Sequence, residues 1–223
     1  MLSLVATPIG NLKDVTQRAL DTLAAADVIA CEDTRVTLKL LNAYGIRKPL
    51  ISVHEHATER KIAEVIAMLK DGKNIAYASD AGTPGVNDPG GKLVEAALKE
   101  GIPVEPIPGA SALTAAISVC GFPMHDFTYV GFIPHKKGKQ TELKAIADRS
   151  GATVFFESSH RILKTLEAFK EIVDAKRLLF VGRELTKMHE TLYRGTIDEV
   201  LERLHTTSLK GEFVVIVAPA GFS

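Results

Sequence analysis

Ala78-Ser79-Asp80-Ala81-Gly82-Thr83-Pro84-Gly85-Val86-Asn87-Asp88-Pro89-Gly90 stands between a short apolar run, residues 75–78, and a helical pattern over residues 92–99. A loop this rich in Gly and Pro, set between a strand and a helix, is built for shape. Glycine permits left-handed backbone or the close approach of another group, and proline removes conformational freedom. In open α/β sheets such loops, at the carboxyl ends of parallel strands, are where ligands bind.

Outward from this loop the same alternation repeats. Strands are expected over residues 2–6, 28–31, 50–53, 74–78 and 104–107. Helices are expected over 14–25, 37–44, 58–69, 92–99 and 112–119, with Gly45, Gly72, Gly101 and Gly121 at their ends. Alternating strand and helix predicts a mostly parallel sheet covered by helices. The turns after helices are plain. The loops after strands hold Pro8, Gly10, Asp33, Arg35, His54, Glu55, Asp80, Gly82, Gly109 and Ser111, which should gather along one sheet edge.

The pattern restarts around Cys120-Gly121-Phe122-Pro123, so two α/β domains are expected, residues 1–119 and 120–223. In the second, strands are expected over 127–133, 153–156, 178–181, 190–195 and 213–217, and helices over 141–148, 162–173 and 197–204. Thr196 with Glu199 three residues on reads as a capping box for the last helix. The alternation is less regular here, which predicts a mixed sheet, and residues 213–217 are apolar enough to be its central strand.

Composition narrows the function classes. The chain has 223 residues, enough for a sizeable core, and a formal net charge of +0, which counts against a protein that coats nucleic acid but not against an enzyme with one basic patch. Cys31 and Cys120 have no metal spacing and read as small buried side chains. No apolar run reaches membrane-spanning length, and the first residues read as a strand rather than a signal peptide, so a cytoplasmic enzyme is expected. His54 and His56 would face one side of an extended strand, but with no cysteine near them zinc is not expected, and no metal is required. The Gly-x-Gly-x-x-Gly fingerprint, the Gly-x-x-x-x-Gly-Lys-Ser/Thr loop and the Gly-x-Ser-x-Gly elbow are all absent, which favours a ligand without phosphates.

Three polar constellations compete with structural explanations. Glu32, Asp33 and Arg35 are either part of a site or an ion-pair cluster. Lys136, Lys137 and Lys139 around Gly138 are either phosphate contacts for RNA or a solvated loop. Glu157, His160, Arg161, Arg183, Glu184 and Lys187 lie just past what read as two neighbouring strand ends, either a site or a set of structural salt bridges.

Seven phrases in unbroken order then carry a resemblance. They are Val5–Leu12 (VATPIGNL), Ala30–Arg35 (ACEDTR), Ser79–Gly85 (SDAGTPG), Pro106–Ala112 (PIPGASA), Gly131–Pro134 (GFIP), Phe156–Arg161 (FESSHR) and Arg183–Lys187 (RELTK). Together they resemble the tetrapyrrole-methylase superfamily, the class III methyltransferases, and within it the ribosomal RNA methyltransferases of the small subunit. The resemblance runs from residue 2 to about residue 217. It implies transfer of a methyl group from S-adenosylmethionine to the ribose 2′-hydroxyl of a cytidine in the decoding region of 16S ribosomal RNA, within the 30S subunit. It also implies two α/β domains with the cofactor between them, and a homodimer. By position, Pro8 belongs to the first cofactor loop, Asp80, Ala81, Gly82 and Thr83 to the second, and Ser111 with Ala112 to the third. Phe156 is a contact from the second domain. Ser159 departs from the family's usual proline, and many relatives continue into a further C-terminal segment. For the chemistry, Glu184 is the first candidate base, with Lys187 to favour the alkoxide and Arg183 beside them; Glu157 is the second, oriented by Arg161. Arg35, Lys136, Lys137 and Lys139 are the candidate RNA contacts. Methylation of a tetrapyrrole and a non-catalytic RNA-associated scaffold are the alternatives.

Overall fold

Five short strands, all parallel, form the sheet of the N-terminal half in the computed structural model, which describes residues 1–54 and 59–222. They are β1 (Leu2–Val5), β2 (Val28–Cys31), β3 (Leu50–Ser52), β4 (Ile75–Ala78) and β5 (Val104–Ile107), in the order β3-β2-β4-β1-β5. Helices α1 (Gln17–Ala25), α2 (Thr34–Ala43), α3 (Glu59–Lys70) and α4 (Gly90–Lys99) connect them. The central strands are short and apolar because both faces are covered. In β4, Ile75 and Tyr77 enter one core with Val65, Leu69 and Leu93, while Ala76 and Ala78 enter the other with Ala19, Leu23 and Leu41. These elements lie within one compact unit, Met1–Ser111.

The second unit, Ala112–Ser223, begins with α5 (Ala112–Cys120). Strands β6 (Phe127–Phe132), β7 (Ala152–Ser158), β8 (Leu178–Arg183), β9 (Thr191–Thr196) and β10 (Glu212–Val217) are interspersed with α6 (Lys139–Asp148), α7 (Ile162–Lys170) and α8 (Ile197–His205). The order is β6-β7-β10-β8-β9, with β6 parallel to β7 and the other pairs antiparallel. The sheet is therefore mixed, and β10 is its centre, as its apolar run requires. Phe155, Val181, Tyr193, Phe213 and Val215 pack under α6, α7 and α8 in one core. The other face meets α5, whose last carbonyls, Val119 and Cys120, accept from the Arg194 guanidinium as it lies over the Phe180 ring.

Element ends differ from the periodicity where side chains take over the backbone donors. Residues 12–14 form a 3₁₀ turn, and α1 starts only after Thr16, whose hydroxyl accepts from Ala19 N at 3.1 Å. Helix α2 starts three residues earlier than its apolar pattern because Asp33 caps it, accepting from Arg35 N at 2.8 Å. Helix α7 ends at Lys170, since Phe169 O accepts from both Ile172 N and Val173 N and the turn unwinds. Both cysteines are buried and free, as expected. His56 lies among residues 55–58, outside the described residues, and with it the expected same-side placement of His54 and His56. Among the described residues no helix is long and apolar enough to cross a membrane.

The capping box at α8 is complete: Thr196 Oγ1 accepts from Glu199 N at 3.4 Å, and Glu199 Oε2 accepts from Thr196 N at 2.8 Å. Thr196→Ala is expected to cost about 1 kcal/mol, and Thr196→Ser to cost much less, in urea unfolding.

Candidate active site

In the first unit every strand exits at the same edge, because all five run the same way. Two of those exits are locked together. Thr7, after β1, and Gly82, after β4, exchange two backbone hydrogen bonds, each 3.0 Å. Thr7 Oγ1 also donates to Ser79 O at 3.0 Å, and Ser79 Oγ donates to Gly82 O at 2.5 Å. The third exit joins through Thr83 Oγ1, which donates to Ala110 O at 3.2 Å. Pro8, the segment from Asp80 to Thr83, and Ser111 are thus brought onto one ledge, and Ala112 follows as the first residue of α5.

Glycine is required here for approach. Gly82 has φ +82°, and a Cβ on it would lie 3.2 Å from Ile9 Cγ2; one on Gly109 would lie 3.1 Å from Ala6 Cβ. The loops therefore pack closely at these two glycines, where a side chain would have to displace its neighbour, and they present peptide groups at the sheet edge.

The neighbouring exits form an open cleft of ≈ 400 Å³ lined by Glu32, Asp33, Thr34, Arg35, Ser52, His54 and Asp80. Asp80 Oδ1 accepts from Asp33 N at 3.0 Å. Burial raises the Asp80 carboxyl above the usual aspartate range and the charges of Asp33 and Asp88 add to it, against the opposing hydrogen bond from Asp33 N. Asp33 itself is drawn down to about 2 by hydrogen bonds from the Arg35 side chain and backbone. The ion pair considered for Asp33 and Arg35 exists, at 2.6 Å, with Arg35 largely exposed.

In the second unit, the charged residues expected at neighbouring strand ends lie otherwise. Strands β7 and β8 are not neighbours, since β10 runs between them, and Glu157 and Arg183 still belong to the strands. Both pair in register with Phe213 of β10. Placed about two strand spacings, roughly 10 Å, apart, they head two separate networks. Glu157 is 1% exposed. It accepts from Thr165 Oγ1 and Ser158 N, each at 2.8 Å, and lies 3.3 Å from Arg161, whose Nη2 donates to the carbonyls of Ile133 and Pro134. Arg183 is also buried and donates to Lys210 O at 2.7 Å and His189 O at 3.0 Å.

The turn after Arg183 is unusual. Glu184 and Thr186 both adopt left-handed φ, +52° and +66°, which non-glycine residues seldom do. Glu184 Oε1 accepts from Lys187 Nζ at 2.8 Å and from Glu212 N at 3.0 Å, and Lys187 Nζ also reaches Glu212 Oε2 at 2.8 Å. Burial would raise the Glu184 carboxyl, but these hydrogen bonds and the charges of Lys187 and Arg183 outweigh it and hold it below the usual range. Burial works against the Lys187 ammonium too, and the two carboxylates overcome it and raise its pKa. Gly211 is needed beside them, as a Cβ there would lie 2.3 Å from Glu184 Cγ.

Lys136 and Lys137 are exposed in the loop before α6, while Lys139 is partly buried and donates to Lys164 O at 3.3 Å. Phe156 makes edge contacts with Tyr129 and Phe132. Sequence reasoning missed Thr7, Thr165 and Glu212. Glu212 had a faint signal, a carboxylate just before an apolar strand after Lys210-Gly211. Thr165 had none, because it reaches Glu157 only once α7 is docked.

Residues 1–201 match the model of the tetrapyrrole (corrin/porphyrin) methylases, and the chain belongs to that family of methyl-transferring enzymes, whose methyl donor is S-adenosylmethionine. More particularly, it is 44% identical, over 97% of both chains, to ribosomal RNA small subunit methyltransferase I of Thermotoga maritima. It is 47% identical to the enzyme of that name from Mesorhizobium japonicum, over 98% of this chain and 75% of the relative. A solved structure of uroporphyrin-III C-methyltransferase from Thermus thermophilus with S-adenyl homocysteine shares the fold, with TM-score 0.68 at 20% identity over 97% of this chain and 96% of the other. The ledge fits a donor of this kind: its closely packed loops offer backbone groups, with no phosphate-cradling loop.

Two expectations follow. Gly82→Ala strains a left-handed residue and meets Ile9, whereas Gly85→Ala, at φ +84° with nothing within 4 Å, carries only the backbone cost of about 1–2 kcal/mol. Thermal unfolding should find Gly82→Ala the more damaging. For Glu184, whose folded pKa is depressed, the stability it adds is complete above the ordinary value of 4.5 and is lost as pH falls through the folded value. Glu184→Gln should flatten the acid limb of a stability–pH profile; an unaltered limb would remove the pairing from the account.

Proposed function

We propose that the chain transfers the methyl group of S-adenosylmethionine to the ribose 2′-hydroxyl of a cytidine in the decoding region of 16S ribosomal RNA, acting in the cytoplasm as a homodimer on the 30S subunit. The observation that carries this reading is identity of 44% and 47%, along nearly the whole of this chain, to enzymes named for the small ribosomal subunit; the closely packed ledge at the sheet edge supports it.

Residues 1–119 supply the cofactor loops in this reading. Pro8, Asp80, Ala81, Gly82, Thr83, Ser111 and Ala112 hold the donor, mostly through backbone groups, and Phe156 from residues 120–223 adds a further contact. When bound, the donor presents an electrophilic methyl on a sulfonium. The rest of the task falls to side chains. Glu184, kept ionised by its hydrogen bonds, accepts the hydroxyl proton directly or through water. Lys187 lowers the cost of negative charge on the ribose oxygen. Arg183 fixes the turn that carries them, with its guanidinium engaged by two backbone carbonyls. Glu157 and Arg161 act on the same reaction from their own strand end, and the buried carboxylate of Glu157 favours a positioning role over proton transfer. Arg35, Lys136, Lys137 and Lys139 meet phosphates and position the RNA without reading it.

The test is methyl transfer to undermethylated 30S subunits and to a porphyrin precursor, followed by mapping of the modified nucleotide. Modification of one cytidine ribose is expected; methylated porphyrin with untouched RNA would overturn the reading. Glu184→Gln and Lys187→Met should each lower turnover by about 10²–10⁴-fold with donor affinity retained in calorimetry. Replacing the loop lysines by Ala should reduce the slope of log affinity against log salt by roughly 0.7 for each phosphate that is no longer neutralised.

A further inference from the structure

Strand β6 carries a register break that the methyl-transfer chemistry does not explain. Tyr129 pairs with Val154, but Phe132 pairs with Phe156, so three residues on β6 span two on β7. Gly131, at φ +68°, sits in the break. A bulge of this kind shifts the alternation of side chains and re-aims the next one. Here it turns Phe132 onto the face of Tyr129 and Phe156. The three rings meet edge to face, with centroids 5.3 Å (Tyr129–Phe156) and 5.7 Å (Phe132–Phe156) apart. Phe132 is nevertheless 54% exposed. The cluster holds one side of the ring while the rest of it faces solvent.

The chain that follows is basic and anchored. Lys136 and Lys137 are exposed in the loop after Phe132. Arg161 Nη2 donates to Ile133 O at 2.7 Å and Pro134 O at 3.1 Å, so the residues joining the ring to the lysines are tied down. Arg161 is in turn held by the buried Glu157 carboxylate. From Phe132 to Lys136 the chain spans at most about 14 Å, a reach of one or two nucleotides.

An exposed ring beside a basic loop is the combination that binds single-stranded nucleic acid, with bases stacking and phosphates paired to cations. We propose that Phe132 is a stacking platform for an unpaired RNA base next to the methylated nucleotide. Lys136 and Lys137 hold the adjoining phosphates, and the Glu157–Arg161 pair positions both. The proposal rests on the RNA reading above and adds a site to it.

The chain has no tryptophan, so Phe132→Trp makes a sole reporter at the platform. Titration with a single-stranded RNA oligonucleotide is expected to quench its fluorescence, with affinity close to that of the unaltered protein. Phe132→Ala should weaken oligonucleotide binding about tenfold, an average base–aromatic stack, with donor affinity unchanged; Phe132→Tyr should restore it. Arg161→Lys, which shortens the reach of the single nitrogen that contacts both carbonyls, should raise KM for RNA more than it lowers kcat. An unquenched Phe132→Trp, or Phe132→Ala binding RNA as tightly as the parent, overturns the platform. So does a change in sedimentation on Phe132→Ala with RNA affinity intact, which would assign the ring to a protein contact. The unaltered protein serves as the control for function: if it methylates 30S subunits while Phe132→Ala is indistinguishable from it, only the platform fails. If the unaltered protein neither binds nor methylates RNA, the functional reading fails with it.

Discussion

The paired backbone hydrogen bonds between Thr7 and Gly82 set the geometry on which the strand exits of the first unit depend. A parallel sheet brings its strand exits to one edge, but it does not bring them into contact. Here β1 and β4 are adjacent and parallel, and beyond their ends the exit of β4 turns back so that Thr7 and Gly82 form a separate antiparallel bridge. That bridge favours Gly82, since a side chain there would strain the left-handed backbone and press on Ile9. Thr83 then fastens the exit of β5 through Ala110. The ledge is therefore preorganised by groups that have no chemistry of their own, which would leave little ordering cost for the donor proposed to bind there.

Much of this was legible from residues alone, for a definite reason. Strands such as Ile75–Ala78 are apolar on both faces, and only a sheet covered twice makes that pattern sensible. Gly and Pro punctuation marked the exits, and the capping box at Thr196 announced itself by spacing. What spacing does not carry is which strands lie side by side. Strands β7 and β8 follow one another in the chain with only α7 between them, so their ends read as neighbours. The run after Lys210 intrudes between them because its continuous apolar sequence suits the centre of the sheet. That one insertion separates Glu157 from Glu184 and gives each a different set of partners, including Thr165 and Glu212, which no local pattern marks.

The two networks illustrate opposite uses of a carboxylate. Glu157 is sealed, and a buried charge is tolerable only when donors surround it; a serine amide, a threonine hydroxyl and a guanidinium do so. Arg161 in turn donates to the carbonyls of Ile133 and Pro134. Glu184 lies nearer the surface on a turn with two left-handed residues, each costing of order 1–3 kcal/mol. The surrounding hydrogen bonds offset that cost: Glu184 N to Glu212 O, Glu212 N to Glu184 Oε1, and Thr186 N to Glu190 Oε2. Strain retained in this way, beside a partly accessible ion pair, is consistent with the proposal that places proton transfer on this turn.

A chain with a net charge of +0 is compatible with a polyanionic substrate once the charges are sorted by position. Screening confines an exposed charge to a range of about 8 Å at physiological ionic strength, so a substrate responds to the groups near its path rather than to the sum. Several carboxylates of the proposed site residues are already engaged by the protein: Asp80 with the Asp33 amide, Glu157 with Arg161, and Glu184 with Lys187. Lys136 and Lys137, in contrast, stand exposed on a tethered loop that follows an exposed ring. Repulsion is thus quenched internally while attraction is displayed, and the overall neutrality that argues against a coating protein becomes a property of the surface elsewhere.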